Sequence, residues 1–87
     1  MIGSKLERTK KFDLQIRRLL KKNPSLKGRV RKTFRLLLID RNHPSLRLHK
    51  VHDVFSVSVD MKTRILLYFE GEKIFLLEIG SHDQVYD

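Results

Sequence analysis

The sequence predicts an α+β fold in which an N-terminal helical hairpin packs on a mostly antiparallel sheet of four strands. Three observations predict it. Apolar residues recur at helical spacing up to about Leu38; the spacing changes to alternation from about Leu46 onward; and the segments between the later apolar runs are two or three residues long, which suits hairpins. A chain of 87 residues with 40% apolar side chains fits one domain over residues 1–87, because so short a chain rarely builds two cores.

The first helix is expected over residues 10–22. Phe12, Ile16, Leu19 and Leu20 share one face, and Thr9 is placed to cap it. Asn23-Pro24-Ser25 ends that helix and starts a second, running to about Leu38 with the stripe Leu26, Val30, Phe34, Leu37 and Leu38. Gly28 near its start costs about 1 kcal/mol relative to alanine. Strands follow over about 46–51, 54–60, 64–70 and 74–79, and Leu6 offers a short N-terminal edge strand.

Strand parity assigns the core side. Leu46, Leu48, Phe55, Val57, Val59, Ile65, Leu67, Phe69, Phe75, Leu77 and Ile79 are expected to face the helices. A turn at His52-Asp53 pairs His49 with Ser56, and three-residue loops at 61–63 and 71–73 pair Asp60 with Arg64 and Arg64 with Gly80. The uncovered face then gathers Arg47, His49, Ser56, Ser58, Asp60, Arg64 and Glu78, with His82 just beyond the last strand.

Composition excludes several classes of function. The absence of cysteine rules out disulfide scaffolds and cysteine-zinc sites. The longest apolar runs, Leu36–Ile39 and Ile65–Phe69, fall far short of the roughly 20 residues that span a bilayer. With no apolar leader in Met1–Arg8, these features point to a cytoplasmic protein without a membrane partner. No two histidines stand at i, i+4, and no glycine loop for phosphates or nucleophile triad is visible, so neither metal nor cofactor is expected.

Charge is distributed unevenly. Residues 1–50 carry sixteen Lys and Arg against three acids, whereas residues 51–87 carry three against seven, for a net charge of +9. A local excess of this size favours a polyanionic partner on the helical half, although solvated lysines alone would give the same count. Arg64 and His82 carry the sharpest chemistry. A guanidinium and an imidazole sharing a cleft can stabilise a charged phosphate transition state and transfer a proton, which is what metal-free RNA cleavage by a neighbouring 2′-hydroxyl requires. A plain surface pair between Asp60 and Arg64 is the competing reading, worth at most about 1 kcal/mol. His49 is a second candidate base, and Tyr86 either stacks on an extruded base or finishes the core rim.

The order of these segments resembles the RelE/YafQ-type toxins of toxin-antitoxin modules. The likeness is carried by the helical hairpin, Leu48-His49-Lys50-Val51, Phe55-Ser56-Val57-Ser58-Val59, Arg64-Ile65-Leu66-Leu67-Tyr68, and the ending Ile79-Gly80-Ser81-His82-Asp83-Gln84-Val85-Tyr86. It implies a RelE-like fold and a ribosome-dependent, metal-free endoribonuclease that cleaves mRNA and so inhibits translation. Carried over, Arg64 matches the transition-state arginine, His82 the general acid and Tyr86 the terminal aromatic. His49 is taken as the base, and Arg47, Lys50 and Lys62 as further RNA contacts. Lys62 and Thr63 stand where some relatives place an acidic residue or histidine. The resemblance implies an acidic antitoxin as partner, alongside mRNA and ribosomal RNA. ParE-like relatives inhibit DNA gyrase on the same scaffold, and a degenerate toxin fold that only binds is a third reading.

Overall fold

The computed structural model describes residues 4–81. These form strand β1 (Lys5–Arg8), helix α1 (Lys10–Lys22), a 3₁₀ turn (Pro24–Leu26), helix α2 (Lys27–Ile39), a second 3₁₀ turn (Pro44–Leu46), and strands β2 (His49–Val51), β3 (Val54–Ser58), β4 (Thr63–Glu70) and β5 (Lys73–Ser81). The sheet order is β1-β5-β4-β3-β2, with β1 parallel to β5 and every other pair antiparallel. Leu6 therefore does open an edge strand, opposite Ile74. The fold class is the expected one, with that fifth strand added. Among the described residues no helix is long and apolar enough to cross a membrane.

Thr9 joins the edge strand to the first helix. Its hydroxyl oxygen accepts from the Phe12 amide at 3.2 Å, satisfying one of the helix's orphan N–H groups, and donates to the Leu76 carbonyl at 3.0 Å. One side chain thus caps α1 and ties it to β5. Thr9→Ala is expected to cost about 1–2 kcal/mol of stability, with Thr9→Ser retaining most of it, as urea denaturation would measure. Gln15, one turn on, accepts the Ile79 amide at 3.0 Å through its Oε1, so α1 covers the length of β5 that β1 leaves unpaired.

The core lies between the helices and one face of the sheet. Phe12, Ile16, Leu26, Val30 and Leu37 meet Val57, Ile65, Leu67, Ile74 and Leu76 there, all buried. Thr33, inside α2, is also buried and satisfies its hydroxyl on the Arg29 carbonyl at 2.9 Å. Leu38 stands outside that cluster, while Phe34 and Leu36 pack against its margin.

Three expectations are corrected. Leu46 is buried, but from the 3₁₀ turn rather than a strand, because Pro44 fixes a helical start and Arg47 leaves the turn in a left-handed conformation (φ 48°). In β5 the core residues are Ile74 and Leu76, not Phe75 and Leu77. Leu66 pairs with Glu78 but Leu67 with Leu76, so Leu77 is an extra, bulged residue, and parity reverses toward the hairpin. Phe75 consequently stacks on Tyr68 on the uncovered face, with ring centroids 4.7 Å apart and 12° between planes.

The third correction concerns Asp60, which does not pair with Arg64. Strand β3 ends at Ser58, and Ser58 stands opposite Arg64. The Asp60 carboxylate instead accepts the amides of Lys62 and Thr63 at 2.9 and 2.7 Å, which closes the β3–β4 turn. Burial raises its pKa, but these amide bonds, the Thr63 hydroxyl and the charge of Arg29 outweigh that effect and hold it below the usual value. A lowered carboxyl pKa contributes stability that is complete above the unfolded value, about 4, and disappears as pH falls through the folded one. Asp60→Asn is therefore expected to flatten the acid side of the stability-pH curve, measured by thermal melting across that range.

Candidate functional site

The uncovered face of the sheet holds a polar cluster built on Arg64. Strand pairing brings it together: Ser58 opposes Arg64 across β3–β4, Ser56 opposes His49 across β2–β3, and Gly80 opposes Arg64 across β4–β5. A glycine in that last position puts no side chain beside the guanidinium. Arg64 Nε donates to Ser56 Oγ at 2.8 Å. Its Nη2 lies 3.4 Å from the Arg47 carbonyl oxygen and 3.3 Å from His49 Nδ1. Among the described residues its partners are a hydroxyl, a carbonyl and an imidazole, none of them a carboxylate.

That set of partners matters for the electrostatics. Neutral groups fix the orientation of the guanidinium without cancelling its charge, so it remains available to an incoming oxyanion. Arg64 is half-buried, and the fully buried Ser56 forms the floor beneath it. Partial burial lowers the effective dielectric constant and strengthens the field the arginine presents.

His49 is exposed, and its Nδ1 is also 3.2 Å from the Arg47 carbonyl. The two contacts of this nitrogen require different tautomers. With Nδ1 unprotonated it accepts from Arg64; with Nδ1 protonated it donates to the Arg47 carbonyl and the ring's lone pair is on Nε2. The Arg47 carbonyl thereby serves both side chains, which the left-handed backbone at Arg47 makes possible.

The remaining sequence candidates are placed differently. Lys50 pairs with Phe55, so strand alternation turns it away from the side that carries His49. Arg47 brings its carbonyl to the cluster, and the residue also lines a cleft beside α2 together with Ser58. Lys62 is exposed on the β3–β4 turn. His82 and Tyr86 lie outside the described residues; the last described residue of β5, Ser81, pairs with Thr63, next to Arg64. The sequence reading missed the Arg47 carbonyl as a shared acceptor and Tyr68 with Phe75 as a stacked pair on the same face. The first has no side-chain signal, and the second was hidden by the bulge. Among the described residues no three His, Asp or Glu side chains converge as metal ligands.

No protein-family profile and no curated protein matches the sequence. Solved structures do. YafQ from E. coli strain BL21(DE3) superposes with a TM-score of 0.81 at 10% identity, over 98% of this chain and 100% of that one. The E. coli DinJ-YafQ toxin-antitoxin complex gives 0.77 at 13% identity over 99% and 100%. A copper-bound mutant toxin from Helicobacter pylori gives 0.72 at 19% identity over 94% and 98%. Identities this low establish architecture alone. With two helices on a five-stranded sheet matched over nearly their full length by these structures, the chain has the RelE/YafQ-type toxin fold.

Proposed function

We propose that this protein is the toxin of a toxin-antitoxin pair and acts as a metal-free endoribonuclease on ribosome-bound mRNA. The single observation that carries the reading is Arg64, held by the Ser56 hydroxyl and the Arg47 carbonyl beside His49, groups without negative charge, on the uncovered face of a toxin-type sheet. In the reaction the RNA 2′-oxygen attacks the adjacent phosphorus, the bond from phosphorus to the 5′-oxygen breaks, and a 2′,3′-cyclic phosphate and a 5′-hydroxyl result. His49 Nε2 removes the 2′-hydroxyl proton in the tautomer that donates Nδ1–H to the Arg47 carbonyl. Arg64 stabilises the charge that builds on the non-bridging oxygens. The resemblance assigns the proton for the departing 5′-oxygen to His82 and stacking of a base to Tyr86.

The basic helical half supports the rest of the reading. Residues 1–50 supply most of the cations, so attraction to ribosomal RNA is strong and salt-dependent. The same field would attract an acidic antitoxin, in keeping with the toxin-antitoxin complex that shares this fold. Induced expression in bacteria tests the assignment. Growth arrest with cleaved messages is the expected result; arrest with intact messages and damaged DNA would support gyrase inhibition instead, and no arrest would indicate a fold retained only for binding.

A further inference from the structure

Strand β1 is one edge of the sheet, and among the described residues no strand lies beyond it. Its backbone groups alternate in direction. The amides of Lys5 and Thr9 donate to the Glu72 and Leu76 carbonyls at 2.9 and 3.2 Å, so the odd-numbered residues point theirs at β5. Alternation then turns the N–H and C=O of Leu6, and those of Ser4 and Arg8 on either side, outward along the open edge. Such an edge is a template for another strand. Lys5, Glu7 and Arg8 are exposed, and Leu6 is half-buried, packed against the margin of the core.

A second copy of the same strand fits this edge. In an antiparallel two-fold pair, each hydrogen-bonded contact joins two residues whose backbone groups point outward. Registers centred on Lys5, Leu6 and Glu7 all satisfy that condition, and charge decides among them. Centring on Lys5 sets the lysine against its own copy, and centring on Glu7 does the same with the glutamate; like charges directly opposite are destabilising. Centring on Leu6 sets Lys5 opposite the partner's Glu7 and Glu7 opposite the partner's Lys5, while the two Leu6 residues meet across the axis. The charged positions are then the non-hydrogen-bonded pairs, whose side chains stand closest. Arg8, already bound to Asp13 at 2.9 Å, stands opposite the partner's Ser4 and meets no like charge.

We propose that this protein self-associates through β1, two copies pairing antiparallel about Leu6 and joining their sheets into one. Lys5 and Glu7 lie in register with Lys73 and Phe75, so the charge pairs form on the uncovered face, which continues from one copy to the other. Arg64, separated from the join by β5, stays open in each copy. The inference does not rest on the nuclease reading. A join this short falls below the roughly 1,200 Å² of a stable interface, and a net charge of +9 on each chain opposes contact. Association is therefore expected at micromolar concentrations, in about 0.15 M salt or more.

Sedimentation equilibrium of the full chain tests the proposal, with circular dichroism to confirm that each variant is folded. Wild-type protein should show a reversible monomer–dimer equilibrium. Lys5→Glu, or Glu7→Lys, places like charges opposite each other on both sides of the axis and should raise the dimer dissociation constant at least about tenfold. Both substitutions in one chain exchange the charges and should return it to within about threefold of the wild type. An equimolar mixture of the two single variants should form a heterodimer, because each supplies the charge the other needs. A monomer at every concentration up to about 1 mM, single variants that dimerise as the wild type does, or a mixture no more associated than its parts would overturn the proposal. Arg64→Ala should dimerise like the wild type, so failure of the nuclease reading leaves these results unmoved.

Discussion

Arg64→Ala is expected to lower cleavage of a labelled message on programmed ribosomes by on the order of 10²–10³-fold, the usual cost of removing a preorganised donor to developing phosphate charge. The size follows from how the guanidinium is held. Ser56 Oγ and the Arg47 carbonyl fix it before substrate arrives, whichever tautomer His49 takes, so little reorganisation is left to the reaction itself. Arg64→Lys keeps the charge but not the planar fork that reaches a hydroxyl and a carbonyl together, and should restore only a small part of the rate. The loss should appear without unfolding, because the side chain is half-exposed and lies outside the hydrophobic core, so its charge-assisted hydrogen bonds, at most about 1.5–3 kcal/mol each, are partly replaced by water. A wild-type rate in Arg64→Ala would remove this cluster from the chemistry.

Leu76→Ala is expected to destabilise the fold by about 2–5 kcal/mol, while Leu77→Ala costs less than about 1.5 kcal/mol. Leu76 is fully buried among α1 and sheet residues, so truncation leaves a cavity that a rigid sheet fills poorly. Leu77 is the bulged residue and only half-buried. Urea denaturation of the two variants would rank them. The opposite ranking would mean that β5 keeps regular alternation to its hairpin and that the bulge is wrongly placed.

The contrast between those two leucines shows what the sequence could and could not reveal. Helical spacing located α1 and α2 to within a residue or two, since Phe12, Ile16, Val30 and Leu37 are the side chains the core requires. The pairing of His49 with Ser56 was legible because His52-Asp53 is a two-residue turn, which leaves one register open. The pairing of Arg64 with Gly80 was reached by two offsetting errors. The β4–β5 hairpin turns through Gly71-Glu72 alone, one residue shorter than expected, with Gly71 at a φ of 60° that suits glycine. The bulge at Leu77 then restores the missing residue.

The rest was illegible for physical reasons. Apolar residues run consecutively from Ile74 to Leu77, so no polar residue marks where parity reverses. Asp60 continues the alternation of β3, yet its short carboxylate gains more from two turn amides than it would from pairing with Arg64. The Arg64 cluster was half visible, since side-chain parity predicted His49, Ser56 and Arg64 on one face. The Arg47 carbonyl, a backbone group, depends on a left-handed residue that arginine rarely adopts.

End-group analysis of the cleaved message tests the central claim most directly. Full-length protein, programmed ribosomes and a labelled transcript should yield fragments with 5′-hydroxyl and 2′,3′-cyclic phosphate ends, in buffer containing a chelator that still leaves ribosomes intact. Fragments ending in 5′-phosphate and 3′-hydroxyl, or a transcript left whole by folded protein, would contradict the assignment of Arg64 and His49 to attack by the neighbouring 2′-oxygen.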